Sequence, residues 1–108
     1  MNGNKNLKKK GKIDMNKYET IFLINPQTSE TQRKEVVEKI SKYIKENGEF
    51  IDIDELGIRK LAYEIKTQTH AYYYIINLAC KPEAIYELER IYRITEEVLK
   101  FIIVKRDD

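Results

Sequence analysis

The sequence predicts an α+β domain, a ferredoxin-like β-α-β-β-α-β sandwich with two helices on one face of a four-stranded antiparallel sheet. Aromatic and β-branched residues gather in short runs bounded by turn residues, and two segments switch to helical spacing. The helical segments divide the runs as one, two and one, which is the split order of this fold. A chain of 108 residues, 42% of them hydrophobic, is enough for one domain with one core.

The first strand is Tyr18 to Ile24, closed by Asn25-Pro26, where proline cannot donate to a ladder. From Ser29 the period changes. Val36, Val37, Ile40, Tyr43 and Ile44 recur on one helical stripe with Glu, Lys and Arg opposite, so a helix is predicted from about residue 30 to residue 47. Ser29 with Gln32 fits a capping box, and Asn47-Gly48 predicts a left-handed stop. Phe50, Ile51, Ile53, Leu56 and Ile58 mark the second strand. Tyr63 to Ile65 begins a third, strongest at Ala71 to Leu78. Pro82 suits the first turn of a second helix, whose stripe is Ala84, Ile85, Leu88, Ile91 and Tyr92. Val98 to Val104 is the last strand.

Two helices cover one sheet face, and an open face normally reads as polar at every second position. Here Ile21 to Ile24, Tyr73 to Ile76 and Ile102 to Val104 are apolar on both alternations. A contiguous exposed apolar patch on a small domain marks a partner surface.

The formal charge of +2 is unevenly placed. Residues 1–14 hold Lys5, Lys8, Lys9, Lys10 and Lys12 against Asp14 alone, a contribution of +4, which leaves residues 15–108 at −2. Any nucleic-acid footprint must therefore be local. Residues 1–14 are polar, glycine-containing and aperiodic, a composition expected to remain a disordered lysine-rich tail, with the domain over residues 15–108. Met15-Asn16-Lys17-Tyr18-Glu19 would itself make a natural N-terminus. The tail has no apolar h-region, and no apolar run approaches the roughly 20 residues that span a bilayer. The lone Cys80 permits no intramolecular disulfide and no multi-cysteine zinc site, which favours a reducing, cytosolic setting.

No catalytic set emerges. His70 has no neighbouring nucleophile in sequence and is expected in a surface loop. Asp52, Asp54 and Glu55 could place two carboxylates on one strand face, but a solvated edge strand accounts for them, because charged edges oppose aggregation. The four glycines form no phosphate loop, so neither cofactor nor small-molecule substrate is expected. Acylphosphatases share the element order and resemble one another through a glycine-rich loop with an arginine after the first strand, whereas Asn25-Pro26-Gln27-Thr28 stands there. RNA recognition motifs share it too, and three consecutive tyrosines on the third strand are similar to their base-stacking aromatics. Their basic-glycine signature is replaced by Thr69-His70-Ala71. A single-strand RNA-binding module is therefore the second choice.

The segment Leu56-Gly57-Ile58-Arg59-Lys60-Leu61-Ala62-Tyr63-Glu64-Ile65 resembles the signature of the bacterial small-subunit ribosomal protein six family. The likeness extends to Tyr18-Glu19, Asn25-Pro26, Tyr72, Pro82-Glu83 and Val104-Lys105, and covers roughly residues 15–108. It implies a noncatalytic, cytoplasmic, ribosome-associated protein that pairs with ribosomal protein eighteen and joins 16S-type ribosomal RNA with it. On that basis Lys17, Tyr18, Arg59, Lys60, Lys105 and Arg106 are the expected RNA contacts, at strand ends or in loops where cations reach a phosphate backbone without burial. Ile21, Leu23, Tyr73, Ile75, Ile102 and Val104 are the expected partner-facing residues, provided the register places them outward.

Overall fold

The computed structural model describes residues 15–106. Its elements are β1 (Asn16–Ile24), α1 (Glu30–Asn47), β2 (Gly48–Ile65), β3 (Gln68–Cys80), α2 (Pro82–Ile94) and β4 (Val98–Arg106), in one antiparallel sheet of order β2-β3-β1-β4. The predicted fold class and the boundaries of α1 agree with this. The expectation for residues 1–14 lies outside the described residues.

Helix α1 starts at the predicted capping box. The Gln32 amide donates to Ser29 Oγ at 3.1 Å, and the Ser29 amide donates to Gln32 Oε1 at 2.8 Å. Its inward stripe is Val36, Ile40 and Ile44. Helix α2 opens on Pro82 and buries Leu88 and Tyr92. The Tyr43 hydroxyl donates to the Ala84 carbonyl at 2.7 Å and ties the helices together. Both pack on the sheet face formed by Tyr18, Thr20, Phe22, Ile24, Tyr74, Ile76, Leu78 and Val98. Aromatic rings stack through this layer: Phe22 on Tyr74 with centroids 5.1 Å apart, and Tyr92 on Phe101 at 4.8 Å. The one polar pair in it is satisfied, because Thr20 and Tyr92 share a hydroxyl hydrogen bond of 2.8 Å. Burial pushes the Tyr92 phenol well above its ordinary range against the opposing pull of that bond, and pushes the Cys80 thiol up to about 11.

Three sequence expectations are corrected. The end of α1 is not a left-handed stop, since Gly48 is extended at φ −179°. Glycine is needed there for space: a Cβ would lie 2.4 Å from the Ala79 carbonyl oxygen and 2.7 Å from Cys80 Cβ. Tyr63 to Ile65 closes the second strand and does not open the third. The hairpin turns at Lys66-Thr67, with φ 50° and 67°, and Ile65 pairs with Gln68. No glycine or asparagine marks that turn, whereas Gly57 (φ 78°) marks a bulge inside β2. His70 therefore lies within β3, opposite Lys60, with its Nδ1 2.9 Å from Thr69 Oγ1, and not in a loop.

A β-branched residue held at φ 67° carries left-handed strain on the order of 1–2 kcal/mol. Replacing Thr67 with glycine should relieve it at some entropic cost, for a net stabilisation of about 0.5–1 kcal/mol and a thermal midpoint higher by a few degrees. A lower midpoint for Thr67→Gly than for the parent chain would show that the turn does not need a left-handed residue.

Candidate partner and nucleic-acid interface

The strand register decides which apolar residues face the helices. Phe22 is opposite Tyr74 and Phe101, both on the helix side, so Ile21, Leu23, Tyr73, Ile75, Ile102 and Val104 alternate to the other face. There Ile21 pairs with both Ile75 and Ile102, and Leu23 with Tyr73. All six therefore share the face that α1 and α2 leave open. Ile102 and Val104 are 44% and 46% exposed, and Ile21, Tyr73 and Ile75 are half-buried.

One end of this face is closed by the chain itself. Beyond Ile58, which pairs with Tyr72 at the end of β1, the β2–β3 hairpin continues as an arm. Bulges at Ile51 and Leu56 and an irregular stretch between Lys60 and Ile65 change its course. Leu61 and Ile65 then pack with Leu23, Ala71, Tyr73 and Leu99 in a second, smaller apolar cluster. Lys100 Nζ donates to the Tyr63 hydroxyl at 2.8 Å across the gap. The result is a groove of about 250 Å³ with Ile21, Leu23, Tyr73 and Ile102 on the sheet side and Leu61 and Tyr63 on the arm side.

Carboxylates frame the other margin. Glu19 is opposite Asn77 and Val104, Asp52 opposite Asn77, and Asp54 opposite Ile75, which puts all three on the open face. Asn77 Nδ2 donates to Asp52 Oδ1 at 2.8 Å, and Arg106 Nη1 lies 3.7 Å from Glu19 Oε2. β2 is an edge strand, as its charges led one to expect. Among the described residues no cluster of three or more His, Cys, Asp or Glu is disposed to hold a metal ion.

The six expected RNA contacts fall into two groups. Lys17 is paired with Arg106, and Tyr18 with Lys105, at one end of the sheet. The three cations there are exposed, but the Tyr18 ring is 8% exposed within the main core, a packing position that leaves it no stacking face. Arg59 and Lys60 lie in the arm, opposite Ala71 and His70. They sit inside a strand and not at its end or in a loop, though both remain solvated, with Arg59 Nε donating to the Leu56 carbonyl at 3.3 Å. The first group lies at the start of β1 and the second in the arm past its other end, and the nine residues of β1 span about 30 Å.

Sequence reasoning missed several contributors. Leu61 stands at the start of the alternation Leu61, Tyr63, Ile65, the signal that could have found it, and Leu99 is the extra residue of a β4 bulge between Leu23 and Ile24. The three consecutive tyrosines do not form a platform. Tyr72 and Tyr74 turn toward α1, where the Arg33 guanidinium lies 3.8 Å over the Tyr72 ring, and only Tyr73 reaches the open face.

Residues 17–105 match the family described as Ribosomal protein S6. A relative from Caldanaerobacter subterraneus, named small ribosomal subunit protein bS6, is 41% identical over 95 residues, covering 87% of this chain and all of that protein. The protein of the same name from Clostridium novyi is 44% identical over 91 residues, 83% of this chain and 96% of its own. The crystal structure of 30S ribosomal protein S6 from Thermotoga maritima superposes with a TM-score of 0.81 at 34% identity, covering 85% of this chain and 88% of that one. A sheet with two helices on one face, an open apolar face on the other and these matches lead to one conclusion: the chain belongs to the ribosomal protein S6 family of the small ribosomal subunit, a family that is not enzymatic.

Proposed function

We propose that this chain is a ribosome-associated structural constituent that binds 16S-type ribosomal RNA together with ribosomal protein eighteen. The observation that carries this reading is the open sheet face. Ile21, Tyr73, Ile75, Ile102 and Val104 keep apolar surface on one uncovered face, with Leu23 sealed under the arm. Bordered by Glu19, Asp52 and Asp54, they suit a partner that is apolar at its centre and basic at its rim. Residues 15–108 carry a formal −2 and are short of the charge needed to neutralise phosphates by themselves. A basic partner seated on this face would supply it, while Lys17, Lys105 and Arg106 at one end and Arg59 and Lys60 at the other would fix the RNA's position. Residues 1–14, with five lysines, add a formal +4. The alternative, independent single-strand reading by base stacking, is disfavoured because Tyr72 and Tyr74 are occupied on the helix side.

Ile75 lies at the centre of the open face, half-buried, so Ile75→Glu should leave an intact cooperative fold. Its calorimetric affinity for ribosomal protein eighteen should fall at least a hundredfold, since a charge desolvated without a counter-charge costs several kcal/mol. A normal unfolding midpoint combined with undiminished affinity would remove this face as the docking surface. Replacing Arg59 and Lys60 together with alanine should change stability by roughly 1 kcal/mol or less, the scale for solvated positions, and weaken attachment to RNA. Full incorporation of that double variant into small subunits, in competition with the parent chain, would count against these two contacts.

A further inference from the structure

Past the pairing of Ile58 with Tyr72 the β2–β3 hairpin has no β1 beside it, because β1 ends at Ile24, opposite Tyr72. Its own ladder then fails part-way. Lys60 pairs with His70 and Ile65 with Gln68, so residues 61–64 of β2 face Thr69 alone. The turn that follows holds Lys66 and Thr67 at positive φ, a conformation that costs energy at residues other than glycine. Backbone pairing therefore contributes little to keeping residues 61–69 on the sheet.

Side chains hold this segment down instead. Leu61, 7% exposed, lies with Leu23, Ala71 and Leu99 in a cluster separate from the main core, which includes neither Leu61 nor Ile65. The second tie runs from the Lys100 ammonium to the Tyr63 hydroxyl at 2.8 Å, on a residue 62% exposed, where water competes for both groups. Between this segment and the sheet lies the apolar groove of about 250 Å³, so the closure is not packed to core density. A small separate cluster and an interrupted ladder are the conditions for a unit that opens well below the free energy of global unfolding.

We propose that residues 61–69 form an autoinhibitory strap, which opens as a unit at the ladder gap after Lys60 while the helices and the rest of the sheet stay folded, and which when closed withholds Leu23 and Leu99 from a protein partner. In the closed form Leu61 takes the place on Leu23 and Leu99 that an apolar side chain of the partner would take. Opening lengthens the strip of Ile21, Ile75 and Ile102 by those two residues. A partner that needs the longer surface binds only the open fraction, and its apparent affinity is lowered by that fraction. The withholding rests on the docking reading above, whereas the opening is a property of the free chain.

Thiol labelling of the full chain tests the opening. Ala71 is wholly buried in the strap cluster, and the native Cys80, 3% exposed in the main core, reports global unfolding in the same molecule. The thiol introduced by Ala71→Cys should react on the order of 100-fold faster than Cys80 in native buffer. Adding Ile40→Val in the main core should speed Cys80 by roughly 2- to 10-fold and leave the introduced thiol unchanged, because the strap-open state keeps that core intact. Leu99→Cys carries the same test if Ala71→Cys overpacks the cluster. Equal rates at the two thiols, or acceleration of both by Ile40→Val, would overturn the strap. Calorimetric titration with ribosomal protein eighteen tests the withholding: Leu61→Ala, which loosens the strap, should tighten binding by about tenfold. Binding by the parent chain with equal or weaker affinity in Leu61→Ala overturns the autoinhibitory role alone. No binding by either chain overturns that role and the docking reading together.

Discussion

Two helices of 18 and 13 residues can cover one face of a four-stranded sheet and no more. That limit determines most of what this molecule can do. On the covered side, Phe22, Ile24, Ile40, Ile44, Ile76, Leu88 and Tyr92 are at most 2% exposed, and burial of each large side chain stabilises the fold by roughly 1.5–3 kcal/mol. The Thr20–Tyr92 hydrogen bond lets the sheet carry a polar residue into that layer without leaving an unsatisfied group. The uncovered side is polar in one place, self-covered in another and left apolar between them.

The hairpin arm covers one end, where Leu61 and Ile65 pack on Leu23 and Tyr73. Carboxylates make the β2 margin polar, where Asp52 also accepts from Asn77. The strip between, centred on Ile21, Ile75 and Ile102, is covered by neither. Bulges in β2 and β4 make this division workable: they redirect the arm and insert Leu99 into the second cluster without disturbing the register of the central strands. Charge is distributed by the same logic. Lys17, Lys105 and Arg106 stand exposed at one end of the sheet and Arg59 and Lys60 on the arm, away from the apolar strip.

Much of this was legible in the sequence because it depends on local periods. The stripe Val36, Ile40 and Ile44, the Ser29–Gln32 capping box, Pro82 at the start of α2 and the two apolar alternations of β1 are read within a few residues of themselves. The outward assignment of Ile21, Leu23, Tyr73, Ile75, Ile102 and Val104 followed from alternation, although only the pairing of Ile21 with Ile75 and Ile102 fixed it. What the sequence hid depends on space or on strained backbone. Gly48 looked like a helix stop but is set by the approach of Ala79 and Cys80. The turn at Lys66-Thr67 has no residue that favours positive φ, so the boundary between the second and third strands was placed too early and Arg59 and Lys60 seemed to lie in a connection. Tyr18 looked like a strand-end contact, but its place in the alternation turns it inward, with Thr20 and Phe22.

The central claim is that the open face, and not the helical surface, receives the protein partner. Methyl resonances report on it directly, because isoleucines occupy both sides: Ile21, Ile75 and Ile102 on the open face, Ile40 and Ile44 in the covered core, and Ile94 exposed at the end of α2. Titration of the methyl-labelled full chain with ribosomal protein eighteen should shift or broaden the signals of Ile21, Ile75 and Ile102 and leave those of Ile40 and Ile44 nearly unchanged. Perturbation confined to Ile94 and the helical surface, with the open-face signals unmoved at saturation, would contradict the account.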